Sequence, residues 1–228
     1  MNSLKLIFGT LFLFFCLSIS AQNSPFRFGV NAGINTSNAM IGTVETNGTS
    51  FRLGYQIGVT VDYAISQEFY LLSGLSFISK GSKIEDLVYM SYDGGTPDFT
   101  HKFEQQYLQL PLYGAYKLSL SKDFNLMFGA GPYFAYGIGG KTNETLNGGS
   151  VWGDGTSERE YKTFGKNDEY SYYDRLKRFD FGLGALVNLE YKKINFNISY
   201  EQGITNIAKN DSYKYRNYSL AFSVGYKF

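Results

Sequence analysis

The last eleven residues, YSLAFSVGYKF at positions 218–228, constrain the fold more than any other stretch. Every second residue is large and apolar: Tyr218, Leu220, Phe222, Val224, Tyr226 and Phe228. Between them stand Ser219, Ala221, Ser223, Gly225 and Lys227. A strand sends successive side chains to opposite faces, so a period of two means a β-strand with one dry face and one polar face.

The same alternation recurs upstream. FRFGVNAGIN places Phe26, Phe28, Val30, Ala32 and Ile34 on one face, and FRLGYQIGVTVDY repeats the pattern from Phe51 to Tyr63. A less regular strand runs from about Glu68 to Gly81. It is followed by HKFEQQYLQLPLYGAYKL, FNLMFGAGPYFAYGIG, RFDFGLGALVNLEY and INFNISYEQG. That makes eight strands of about ten residues or more, longer than the five or six usual in soluble sheets. No helical stripe follows residue 22. The 20 tyrosines, 20 phenylalanines and only 4 prolines agree with an all-β chain.

The connections fall at about residues 37–50, 65–67, 82–101, 119–123, 140–176, 192–193 and 207–215. They alternate long and short throughout. Tight turns on one rim and long polar loops on the other mark an up-and-down barrel. The expectation is an all-β, eight-stranded antiparallel up-and-down transmembrane β-barrel with both termini on the short-turn, periplasmic side.

The alternation alone leaves two choices. In a soluble lipocalin-like barrel the apolar face points inward; in a membrane barrel it points at lipid. The polar face favours the second, because glycines such as Gly29, Gly33, Gly54, Gly58, Gly182 and Gly184 fall on it. A narrow lumen needs small residues beside large ones, whereas a solvated surface usually carries long charged side chains. The apolar face is strongly aromatic at the strand ends, as an interfacial girdle is. The terminal aromatic strand resembles the signal read by the outer-membrane assembly machinery.

The first segment, MNSLKLIFGTLFLFFCLSISAQ, has Lys5, an apolar run from Leu6 to Leu17, and small residues before Gln22. It reads as a secretory signal peptide, residues 1–21, cleaved after Ala21 and followed by the barrel domain 22–228. Cys16, the single cysteine, leaves with it, so no disulfide is expected.

Lysine plus arginine (21) nearly cancel aspartate plus glutamate (20), so no global field suggests a nucleic-acid partner. The inward face collects Arg27, Arg52, Lys80, Lys117, Arg178 and Lys227 against Asp62, Glu104, Asp180, Glu190 and Glu201. Charges removed from water must pair, so the expectation is a salt-bridged interior without a continuous pore. His101, the sole histidine, falls at the end of a long loop with no evident serine partner, which argues against a hydrolase. One histidine and no mature cysteine argue against zinc, and no cofactor is expected. GIGGK at 137–141 lacks the spacing of a phosphate loop and reads as a strand end. Pro111 and Pro132 cannot donate to a ladder and are expected at bulges. The loop at 140–176 interleaves Trp152, Tyr161, Tyr170, Tyr172 and Tyr173 with glycine and charge. It reads equally as a binding surface and as a solvated shield.

FRFGVNAGIN, YLQLPLYGAYKL, RFDFGLGALVNLEY and SYEQGITNI with the terminal aromatic strand together resemble the PorT-like family of outer-membrane β-barrel proteins of Gram-negative bacteria. The Leu-Pro-Leu element is the most specific part of that resemblance. The resemblance implies a small OmpX- or OmpA-type barrel with no catalytic motif. It also implies an accessory role in protein secretion, since the founding member serves the type IX pathway. The main expectation is a non-enzymatic surface protein acting through its long loops; a lipid-modifying enzyme is the remote one. Expected partners are outer-membrane lipid or lipopolysaccharide, the barrel assembly machinery, and a secretion-system or extracellular partner.

Overall fold

The computed structural model describes residues 24–42, 48–87, 98–147, 156–165, 175–209 and 214–228. The expected signal peptide lies outside them, as do Trp152, Tyr170, Tyr172 and Tyr173.

Ten strands follow one another along the chain: β1 (Phe26–Gly42), β2 (Gly48–Ala64), β3 (Phe69–Leu87), β4 (Asp98–Ser119), β5 (Phe124–Gly139), β6 (Lys141–Asn147), β7 (Thr156–Lys162), β8 (Phe179–Tyr191), β9 (Ile194–Gly203) and β10 (Lys214–Lys227). Strands β1 to β5 and β8 to β10 pair antiparallel with their neighbours in sequence order, and β10 returns to β1. Eight strands thus close into a barrel. Closure leaves no barrel edge unpaired in hydrocarbon, where no water could satisfy it.

The apolar alternate residues point outward: Ile34, Leu53, Ile57, Leu110, Leu183, Ile198, Leu220 and Phe222 are all exposed. Near the short-turn rim the outer face is ringed by aromatics, with Phe26 against Tyr63, Phe69 against Tyr116, Phe124 against Tyr191 and Tyr226 against Phe228. A second ring carries Tyr55 against Phe77, Phe134 against Phe181, and Tyr218 on β10. From ring to ring, β2 (Tyr55 to Tyr63) and β10 (Tyr218 to Tyr226) span nine residues, while β5 (Phe124 to Phe134) and β8 (Phe181 to Tyr191) span eleven. A tilted strand needs about 9–11 residues to cross a bilayer. The two aromatic rings therefore mark the two faces of the membrane.

Inside, glycine makes room for large side chains. A Cβ on Gly184 would lie 2.9 Å from the Tyr113 ring, and one on Gly182 would lie 2.6 Å from the Tyr133 ring. At the β1–β10 seam that closes the barrel, a Cβ on Gly33 would collide with the Phe222 carbonyl oxygen and lie 2.6 Å from the Ser223 Cβ. Backbone cannot swing aside there as a flexible side chain could. Gly33→Ala is expected to cost about 1–3 kcal/mol, read from the urea midpoint of the folded barrel in detergent.

The strands run well past the membrane. β1 and β2 leave only residues 43–47 between them, and β3 and β4 leave 88–97. The expected loop at 37–50 is therefore mostly strand, and half of that at 82–101 is strand. Beyond the bilayer both faces of a strand can be wet or can pack on a local core, so ladders continue after the apolar alternation has stopped. The 140–176 connection also contains a hairpin, β6 with β7, whose β6 pairs with the upper part of β4. Gly140 makes the bend from β5 into β6: its φ is 135°, and a Cβ there would lie 2.9 Å from the Glu104 carbonyl carbon.

Neither proline sits in a bulge, contrary to expectation. Register with β5 is the same on both sides of Pro111, and β5 pairs with β8 without a shift through Pro132. Pro111 instead interrupts the ladder with β3, which lapses between the pairs Ser73–Leu112 and Ser76–Gln109 and resumes in the same register. Its carbonyl accepts from the Ser73 hydroxyl at 2.8 Å. A missing donor removes a rung without inserting a residue. The shifts that do occur lie at Gln106/Tyr107 in β4 and between Phe51 and Gln56 in β2.

Candidate functional site: the barrel interior and its loop-side cap

The inward side chains form stacked layers. At the short-turn end, Arg27 donates to Glu190 at 2.8 Å and to Asp62 at 3.2 Å. Lys227 also donates to Asp62, at 2.6 Å, and to the Thr60 hydroxyl at 3.1 Å. Lys117 sits here as well. It donates to the Tyr70 hydroxyl at 3.4 Å and has no carboxylate partner among the described residues. Its half-buried place near the rim leaves its ammonium access to water.

Above this layer lies a cavity of about 90 Å³, floored by Asp62 and Lys227 and roofed by Gln109 and Glu201. Its wall carries Asn31, Asn188 and Asn197, whose amide oxygens meet no protein donor. Those unpaired amide oxygens suit water or a small polar solute, while Val59, Leu72, Pro111 and Leu186 give the wall an apolar part.

The roof is the most buried charge cluster. Lys80, 1% exposed, donates to Glu201 and to Gln109, both at 2.8 Å. Gln109 and the Tyr113 hydroxyl donate to the other Glu201 oxygen at 2.7 and 3.1 Å. The Lys80 ammonium also lies 4.5 Å from the centre of the Tyr133 ring. Each charge thus has an opposite charge and further hydrogen bonds, which a buried pair needs to offset desolvation.

A relay of amides and phenols follows. The Asn217 amide donates to Gln105 at 2.8 Å and to Asp180 at 3.0 Å. Tyr107 donates to Gln105 at 3.0 Å, and Gln105 donates to Tyr215 at 2.9 Å.

The loop-side mouth is closed by an apolar core of Ile78, Ile84, Phe103, Tyr107, Phe164, Leu176, Ile207, Ala208 and Tyr215. Four of these, Phe164, Leu176, Ile207 and Ala208, come from connections and not from barrel strands. Leu176 bridges to Phe164 on one side and to Ala208 on the other. The Phe164 ring packs over Gly137, where a Cβ would lie 2.5 Å away, and edge-on to Tyr107 at 5.4 Å. Two of the loop-side connections therefore fold back into the mouth of the barrel.

The remaining expected residues lie at the loop-side rim. Arg52 pairs with Glu104 at 3.1 Å, half-exposed. Arg178 donates to the Gly137 carbonyl at 2.5 Å and lies 5.8 Å from the Phe164 ring, with no carboxylate among the described residues. His101 is not in a loop: it sits in β4 and is 1% exposed. Its Nδ1 lies 3.5 Å from Glu144, which accepts from the Tyr161 hydroxyl at 2.6 Å. Tyr161, the one described member of the expected Trp152, Tyr161, Tyr170, Tyr172 and Tyr173 set, is thus part of β7 and tied to β6. On the exposed side of this hairpin Lys141 lies 2.8 Å from Glu160. That hydrogen bond and charge raise the lysine above its ordinary pKa, yet full exposure leaves the pair little stabilising effect.

Reading charges alone misses the inward glutamines, Asn217 and the tyrosines of β4. Their signal is parity: Gln105, Tyr107, Gln109 and Tyr113 alternate with the lipid-facing leucines of YLQLPLYGAYKL.

A closed antiparallel barrel that is apolar and aromatic-ringed outside and charged inside has the architecture of an outer-membrane barrel. The family model described as outer membrane protein beta-barrel domain matches residues 20–209, and the chain belongs to that family. The protein is an outer-membrane barrel of the Gram-negative type. None of the curated proteins matches the chain. Among solved structures it is similar to Ail, the attachment invasion locus protein of Yersinia pestis, in complex with the heparin analogue sucrose octasulfate. The identity is 11% over 89% of this chain and 99% of that one, with a TM-score of 0.40. It is similar also to OprG from Pseudomonas aeruginosa, at 13% identity over 89% and 95% of the two chains and a TM-score of 0.44. Neisserial surface protein A gives 14%, 88%, 97% and 0.38 in the same order.

Proposed function

We propose that the protein is a non-enzymatic surface protein of the outer membrane that acts through its extramembrane strands and loops, not through its lumen. The observation that carries this reading is the cap, because Phe164 and Leu176 of the longest connection fill the barrel mouth above a paired Lys80–Glu201 layer. Residues 1–21 are the signal peptide, both termini are periplasmic, and the long connections face outward. The barrel assembly machinery inserts the chain, and outer-membrane lipid surrounds it. The burial of His101 beside the β6–β7 hairpin supports leaving it out of any catalysis.

The purified barrel in planar bilayers is expected to show no stepwise conductance. A steady open-channel current from the intact protein would overturn the closed-lumen reading. Protease added to intact cells is expected to cut within 140–176, and resistance there until the outer membrane is opened would reverse the orientation.

A second reading rests on the YLQLPLYGAYKL element, which resembles that of PorT-like barrels: an accessory role in type IX-like protein secretion. Affinity purification of the intact protein from cross-linked cells is expected to bring down secretion components under this reading, and lipid alone under the first.

A further inference from the structure

Just beyond the loop-side aromatic ring, β10 turns two cations outward. Tyr215 and Asn217 are buried and face the interior, so Lys214 and Arg216 lie on the outer face. Arg216 stands opposite Met40 of β1, which is 53% exposed, and one outward position above Tyr218. On the β9 side the neighbouring outward groups are Gln202, paired with Tyr218, and exposed Ile204. None of these neighbours is charged.

Three cations at this height have carboxylates, though Lys102, opposite Lys83 on β4, has none among the described residues. Lys83 meets Glu85, Lys141 meets Glu160, and Arg52 meets Glu104. Lys214 and Arg216 meet none among the described residues, and the Arg216 Nε is shut off from solvent without an acceptor. A guanidinium at the polar edge of a bilayer, flanked by apolar side chains, is best completed by an anion from the lipid side. Its planar fork matches phosphate oxygens. Below it, Tyr218, Leu220, Phe222 and Val224 make an unbroken apolar track along β10 that suits an acyl chain.

We propose that Arg216, assisted by Lys214, binds the phosphate of an outer-leaflet lipid whose acyl chain lies along β10. The assignment to the outer leaflet rests on the orientation given under the proposed function, and the phosphate site itself does not.

The test uses the full barrel in detergent, titrated with monophosphoryl lipid A and with the same lipid after phosphate removal, read by native mass spectrometry. The phosphorylated lipid is expected to bind about ten-fold tighter, and Lys214→Gln/Arg216→Gln to abolish that preference. Lys83→Gln, on β3, is expected to keep it. Unboiled gel migration confirms that each variant is folded. No preference in the parent protein, or an unchanged one in the double variant, overturns the site. Equal competition by inorganic phosphate overturns the lipid as its source. A Lys214→Cys variant, labelled on whole cells with an impermeant maleimide, reads the orientation separately. Labelling only after the outer membrane is opened overturns the outer-leaflet assignment, even where the phosphate preference survives.

Discussion

Lys80→Met is expected to destabilise the folded barrel by about 3–5 kcal/mol, the usual effect of removing one member of a buried ion pair. The cause is what remains. Glu201 would keep Gln109 and Tyr113 as donors but lose the cation 2.8 Å away, at a position almost closed to solvent. The double variant Lys80→Met/Glu201→Leu removes both charges, and most of the loss is expected to return. Urea titration in detergent, following the unboiled gel band, measures both. A single-variant effect below about 1 kcal/mol would mean that water solvates this layer, and the lumen would then be open.

Phe222→Arg is the second large effect. Phe222 lies midway between Tyr218 and Tyr226 on the outer face of β10 and is 47% exposed. In a soluble barrel such a surface position tolerates arginine within about 0.5 kcal/mol. At the middle of a bilayer the same change costs about 2–4 kcal/mol. The expected result is a loss in that range after refolding into lipid vesicles, shrinking for substitutions nearer Tyr218 or Tyr226. A flat depth profile would show that this face does not meet hydrocarbon.

The fold is legible in the sequence because a membrane barrel writes its two environments into alternate residues. Leu220, Phe222 and Val224 meet lipid while Ser219, Ser223 and Lys227 meet the lumen, and nothing between them blurs the contrast. The glycine-rich inner face is legible for the same reason, as Gly182 and Gly184 under Tyr133 and Tyr113 show. Legibility ends at the membrane surface. In β3, Ile84 turns inward to a core that exists only because Phe164 and Leu176 arrive from a distant connection. No local pattern encodes that meeting. His101 reads as a loop residue because its strand partner Glu144 lies far along the chain, in a hairpin that no alternation announces. The charged residues of the interior are readable from parity, but their partition is not. Parity alone turns Lys80 and Glu201 inward, while their contact depends on how far the sheet shears as it closes. Lys117 and Arg178 carry the same parity signal yet lie near the rims, where water is within reach and a carboxylate partner is not needed.

A closed barrel whose apolar face meets the lipid of the outer membrane is tested most directly by gel migration of the protein extracted from the outer-membrane fraction, with and without boiling. A faster unboiled band that shifts on heating is the predicted result, because a closed ladder of eight strands resists detergent. Recovery in the soluble periplasmic fraction, with no heat-dependent shift, would contradict it and turn the apolar face inward.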